Sequence, residues 1–200
     1  MRCSILCRLL PVIKQTSYAI MGNDPAHGWP HIERLESLIV ELIEKEGVDK
    51  MVNRCLLYTG LYLHDVGRNM PGDENHALKS ASYARSLLET LGVPESCIED
   101  VVHVIKAHSF SLGIRAETLE AMILSDADKL DALGAVGIAR VFHTGCTMKR
   151  GFEESIKHFY EKIIHLPKLL YLSSAREIAR ERIEIIEAFL DEWKRELGPY

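Results

Sequence analysis

The chain has no basic excess, no long apolar run and no cysteine framework, and each absence removes a class of explanation. Its 24 Lys and Arg are outnumbered by 29 Asp and Glu, for a formal charge of −5. That balance offers no footprint for a nucleic-acid polymer. It does not exclude nucleotide-sized ligands, because a cation and a few local basic side chains can neutralise phosphates. No stretch approaches the ~20 apolar residues of a membrane span. The start, Met1 to Ile20, is mildly apolar, but Arg8, Pro11 and Lys14 interrupt it, which argues against a signal peptide. Met21 is an alternative start that sequence alone leaves open. The five cysteines (Cys3, Cys7, Cys55, Cys97 and Cys146) show no paired zinc spacing. With an odd count and Cys55 inside an apolar run, reduced thiols in a cytoplasmic setting are expected. There is no internal repeat, no alternating strand pattern and no Gly-rich phosphate loop. Aromatics make up only 7%, so base-stacking candidates reduce to Trp29 and Tyr62, for which a core role is the ordinary alternative.

What is present is helix. Two hundred residues at 47% apolar and 26% charged suit one globular domain, or at most a small pair, with a sizeable core. Ile32, Leu35, Ile39, Leu42 and Ile43 recur at helical spacing between His31 and Glu46, and Gly47 stops them. A second helix is predicted from Asp49 to His64, apolar enough in its later half to be central. Val66 to Asn75 reads as a loop. Helices follow over His76 to Leu91 and from Pro94 to about His108. Ala116 to about His143 reads as one long helix softened by Gly134 and Gly137, and His143 to Gly151 as a loop. Glu153 to about Ile164 and Ala175 to Leu197 close the chain. The expected fold is all-α, a single compact helical domain.

Against that background His64 and Asp65 stand out. Two strong metal-binding side chains sit side by side at the end of the apolar run Cys55 to Leu63. A buried imidazole and carboxylate are costly unless satisfied, and a divalent cation satisfies both. Further donors lie far off in sequence, at His31 and in the string Ser125-Asp126-Ala127-Asp128-Lys129-Leu130-Asp131. On a helix Asp126 and Asp128 are about 200° apart, so they cannot both face one ion, whereas Asp128 and Asp131 share a face.

His31, then His64-Asp65, then Asp128 resembles the HD superfamily of metal-dependent phosphohydrolases. Asp24 to Arg34 is similar to the family's opening motif, Leu63-His64-Asp65-Val66-Gly67-Arg68 to its central one and Asp126 to Ala132 to its closing one. His76 with Lys79-Ser80-Ala81, Lys106-Ala107-His108-Ser109 and Lys157 to Lys162 resemble small stand-alone bacterial and archaeal members. The resemblance covers about Asp24 to Glu196. It implies an N-terminal helix or extension over 1–23 and an HD phosphohydrolase domain over 24–200 that includes the two closing helices.

It also implies a site. His31, His64, Asp65 and Asp128 are the expected ligands, with Asp126 the alternative to Asp128 and Asp131 behind the ligands. Mixed imidazole and carboxylate donors suit Mn, Fe, Co, Ni or Zn better than Mg. Such an ion can activate a water and polarise the phosphoryl group under attack. His76 and His108 are open between a second metal, substrate contact and helix capping, and His27 is a lesser candidate for supporting a ligand. His103, His143, His158 and His165 read as surface or ordinary helix histidines. Arg68 and Lys129 are the preferred phosphate contacts, followed by Arg34, with Lys79 and Arg140 more distant. Asp73 and Glu74 are candidates for orienting water or protonating the leaving group.

The implied function is hydrolysis of a small phosphorylated metabolite, a nucleotide first of all, by pyrophosphohydrolase, nucleotidase or phosphodiesterase chemistry. The implied setting is cytoplasmic, without membrane or nucleic-acid polymer, as a monomer or homodimer. Competing readings are a dinuclear iron oxygenase on the same scaffold, which needs both His76 and His108 as ligands, and a non-catalytic helical signalling module.

Overall fold

The computed structural model describes residues 3–198; Met1, the first of the two candidate starts, lies outside them. Among the described residues the protein is 77% helical, with nine α-helices and no strand. The helices are α1 (Ile5–Met21), α2 (Trp29–Glu46), α3 (Arg54–Leu63), α4 (His76–Thr90), α5 (Glu95–His108), α6 (Leu119–Asp131), α7 (Gly134–Thr147), α8 (Phe152–Glu161) and α9 (Ser173–Leu197). Short 3-10 turns lie at Val66–Asn69, Phe110–Leu112 and Ile163–Leu169. The chain forms two compact units, residues 1–125 and 126–200, and α6 runs across the division. None of the described helices is long and apolar enough to cross a membrane.

In the first unit α3 packs between α1 and α5, and α4 packs against α5 and the Val66–Asn69 turn. α2 buries the predicted stripe, Ile32, Leu35, Ile39, Leu42 and Ile43, and each such side chain contributes roughly 1.5–3 kcal/mol. Gly47 ends α2 in the left-handed conformation, φ 67°, as its position predicts. The second helix starts later than expected, at Arg54. Asn53 caps it by accepting the Leu56 N–H at 3.2 Å, and the Asn53 N–H itself donates to Glu120 at 2.7 Å. Trp29 and Tyr62 are buried and stacked on each other, ring centroids 6.1 Å apart. Tyr62 also donates its hydroxyl to Glu36 at 2.6 Å, so both aromatics belong to the core.

Two expectations need correction. The first is the thiol state. Cys3 is bonded to Cys97 and Cys7 to Cys55, and Cys146 alone is free and exposed. The partners are 94 and 48 residues apart, so no local spacing announces them, and the thiol argument for a cytoplasmic setting falls.

The second is the long helix from Ala116, which is two helices, α6 and α7. Leu133 is extended, and Gly134 takes φ 71°, a left-handed conformation that a side chain resists. Arg182 of α9 lies against that glycine and donates to the Leu130 carbonyl at 2.6 Å, satisfying the end of α6. In the same unit α7 packs on α8 and α9.

Candidate metal centre

α3 delivers His64 and Asp65. Leu56, Leu57, Leu61 and Leu63 are buried, and so are His64 and Asp65 at the end of the helix. The chain leaves it through the Val66–Asn69 turn, which is seated on α4. The Gly67 N–H donates to the Ser80 hydroxyl at 2.9 Å, and a Cβ on Gly67 would lie 2.3 Å from the His76 carbonyl oxygen. Only glycine fits there, and the close approach brings His76, the first residue of α4, towards Asp65.

His64 and His108 solve the same problem in the same way. Each is buried at a helix C-terminus, and each bonds through Nδ1 to the carbonyl three residues before it, His64 to Leu61 at 2.7 Å and His108 to Ile105. A carbonyl only accepts, so Nδ1 carries the proton, and a neutral ring presents its Nε2 lone pair. His31, also fully buried, enters from the first turn of α2. Its position is set by the 22–28 turn, closed by Gly28 N–H to Asp24 O at 2.7 Å and Trp29 N–H to Gly22 O at 2.8 Å. The Nε2 atoms of His31 and His64 are 3.3 Å apart. Two nitrogens bound at about 2.1 Å to one ion are about 3.0–3.4 Å apart for angles between about 90° and 109°.

Asp65 is the centre of the cluster. Its Oδ2 accepts the Arg68 Nε–H at 2.6 Å and lies 3.8 Å from His64 Nε2. Its Oδ1 is buried and accepts no hydrogen bond, although His76 Nε2 is 3.4 Å away and His108 Nε2 3.8 Å. Burial alone would raise this carboxyl, but Arg68, then His64, His108 and His76, outweigh it and hold the group well below the ordinary carboxylate range. A buried anionic oxygen without a hydrogen bond costs on the order of 1–3 kcal/mol or more. One donor atom from each of His64, Asp65 and His108 lies within 4.8 Å of the others, a group that could hold a metal ion. The donors fit a transition metal: imidazole nitrogens and a carboxylate oxygen that accepts no hydrogen bond.

α6 carries the late acids, and its second unit commits two of them to structure. Asp126 accepts the Tyr171 N–H on both oxygens at 3.0 Å and the Leu172 N–H at 2.8 Å. Burial pushes its carboxyl up to about 6 despite those bonds. Asp131 is paired with Arg140 at 2.7 Å. Lys129 is 7% exposed and lies 6.0 Å from the centre of the Tyr171 ring, with burial lowering its pKa against the pull of Asp128 and Asp126.

Other predicted residues are engaged elsewhere. Arg34 donates to the Pro30 and Pro25 carbonyls at 3.1 and 3.0 Å, bracing the turn before α2. Lys79 ties down the Met70 and Gly72 carbonyls. Asp73 and Glu74 are exposed on the loop before α4. His27 lies 3.9 Å from Asp24, and His103 accepts the Glu117 N–H. Sequence reasoning missed the orienting Leu61 and Ile105 carbonyls, Ser80 under Gly67, and the Arg140 partner of Asp131. A histidine closing an apolar helix is the one signal that points to the first two.

The sequence model of the HD domain matches residues 29–133, more than half of the chain. The chain belongs to the HD domain family. It is 28% identical to the Bacillus subtilis (strain 168) protein YpgQ over 187 residues, 89% of this chain and 88% of that protein. The YpgQ crystal structure in complex with ADP superposes with a TM-score of 0.72 at 26% identity, covering 94% of this chain and 97% of that one. A Lactobacillus plantarum structure gives 0.80 at 25% identity, over 98% of each chain. An HD-superfamily hydrolase from Bacillus thuringiensis gives 0.67 at 28% identity, covering 98% of this chain and all of the other. The HD protein described here therefore has an HD-superfamily hydrolase fold, and the ligand-bearing region expected from its motifs falls inside the matched segment.

Proposed function

We propose that this HD protein is a divalent-metal-dependent phosphohydrolase acting on a small phosphorylated metabolite, a nucleotide first of all, by way of an activated water. The observation that carries the reading is the orphaned Asp65 oxygen, buried beside the ring nitrogens of His76 and His108. His31, His64, Asp65 and Asp128 are the proposed ligands, with manganese, iron, cobalt, nickel or zinc preferred over magnesium. When bound, such an ion supplies Lewis-acid polarisation of a phosphoryl oxygen and a lowered pKa for water.

The chain's own side chains supply aim and charge. The Leu61 and Ile105 carbonyls fix which nitrogen His64 and His108 present. Arg68 spans Asp65 Oδ2 and His76 Nε2, the latter at 3.2 Å. A guanidinium only donates, so it takes up the His76 Nε2 lone pair, which tells against a second ion at that nitrogen and leaves Nδ1–H as the donor for a phosphate contact. His108, with its Nε2 turned to the orphaned oxygen, is the stronger candidate for a second ion. Arg68 and Lys129 are assigned to phosphate charge, Arg34 to the wall behind His31, and Asp131, held by Arg140, to orienting the attacking water. Asp73 and Glu74 are the proposed proton carriers for the leaving group. Residues 24–200 are proposed to form this domain, with 1–23 as its N-terminal extension, working in the cytoplasm. The ADP complex of YpgQ supports a nucleotide as substrate class.

The test is a panel of nucleoside mono-, di- and triphosphates and cyclic nucleotides with each divalent metal, read as released phosphate or pyrophosphate. Turnover with manganese on at least one class is expected. No turnover with any nucleotide and any metal would remove the reading.

A further inference from the structure

The two disulfides lie in the helices that deliver the site. Cys55 stands in the first turn of α3, which ends at His64, and Cys97 in the first turn of α5, which ends in His108. Their partners, Cys7 and Cys3, both belong to the start of α1 and the residues before it. α1 and α3 run side by side in the same direction. Cys7 meets Cys55 at one end, and at the other the buried Ser17 hydroxyl donates to the Tyr62 carbonyl, two residues before His64. Asn69, at the end of the turn that follows His64 and Asp65, donates to the Ile20 and Met21 carbonyls at 2.9 and 3.1 Å. From Met21 the chain passes directly into the hydrogen-bonded 22–28 turn that positions His31. α1 is thus a strap between the two histidines whose Nε2 atoms are 3.3 Å apart.

The strap is weak at one known place. Pro11 lies inside α1, and it has no N–H to offer the carbonyl four residues back, which is that of Cys7. The helical ladder is interrupted where the cystine takes over. The two bonds also differ in access. Cys3 and Cys97 are buried, whereas Cys7 is exposed and Cys55 half-buried.

We propose that Cys7–Cys55 is a reducible clasp whose state sets metal affinity at the His31–His64 site, with Cys3–Cys97 as the permanent staple. The proposal rests on the metal-site reading above. In the opening step a thiolate of a dithiol reductant attacks the exposed Cys7 sulfur, and Cys55 leaves as thiolate. The second thiol of the reductant then displaces Cys7, so the dithiol becomes a cyclic disulfide and its two protons end on the two cysteines. With the clasp open, the α1 segment before Pro11 has neither the complete ladder nor its bond to α3 and is held only through the staple at Cys3, so the hold on α3 loosens about 14 Å from His64 along the helix.

The experiment uses the full chain, with Mn(II) alone as probe and the free-ion EPR signal as readout. Oxidised protein is compared with protein reduced by dithiothreitol and desalted under argon, and with C7S/C55S, which keeps the buried staple. Thiol counting and circular dichroism run alongside. One free thiol is expected in untreated protein, three after mild reduction. Metal binding should weaken about tenfold both on mild reduction and in C7S/C55S, at unchanged helix content, an effect at the low end for disturbing groups behind the ligands. Equal Mn(II) affinity in the oxidised and clasp-opened forms overturns the proposal and leaves the metal site standing. Five free thiols in untreated protein overturn it as well. Absence of Mn(II) binding in every form overturns the metal reading itself, and the clasp with it.

Discussion

The helix ends at His64 and His108 and the acid string of α6 present metal-binding side chains in opposite ways. At the ends of α3 and α5 each ring is fixed through Nδ1 by a carbonyl of its own last turn, which leaves Nε2 to face the cluster. In α6 the acids alternate between jobs. Asp126 anchors the start of α9, and Asp131 holds Arg140 of α7. The difference shows that abundance of donors does not make a site. Two histidines with one nitrogen spent on local structure are better ligands than carboxylates whose oxygens hold distant elements together.

The sharpest way to break this comparison is to remove its centre. Asp65→Ala or His64→Ala should abolish retained metal and turnover while the helical circular dichroism spectrum persists. Elemental analysis of protein purified without chelator decides, and retained metal with activity in both variants would contradict the site.

A smaller effect separates the acids. Asp126→Ala leaves the Tyr171 and Leu172 N–H groups without acceptors and should cost about 2 kcal/mol, read as a lower urea midpoint at constant slope. Asp128→Ala should lower that midpoint less than Asp126→Ala does and lose the metal. The reverse pattern would exchange their roles.

The smallest effect is expected at Lys129. Lys129→Ala should raise KM about tenfold, equivalent to about 1.4 kcal/mol of substrate binding, with metal content unchanged. Loss of metal instead would make Lys129 a support for Asp128 and not a phosphate contact.

The motifs were legible because each is local. His64-Asp65 follows the apolar run Cys55 to Leu63, and the stripe of α2 declares its own buried face. What the sequence hid is set by distant partners. Asp126 is distinguished by backbone amides of Tyr171 and Leu172, the break after α6 by Arg182 of α9, and His76 by the guanidinium of Arg68 at its Nε2. The cystines were hidden for the same reason, since Cys7 meets Cys55 only once α1 lies along α3, and Cys3 meets Cys97 only once the residue before α1 reaches α5.

The two carbonyl-clamped histidines also tie local melting to chemistry. Leu61 and Ile105 belong to the final turns of their helices, so neither turn can unwind without letting a ring rotate and its donor nitrogen lose its aim. Secondary structure and ring direction are here one degree of freedom, and fraying too slight to disturb the fold would be enough to turn each Nε2 away from Asp65.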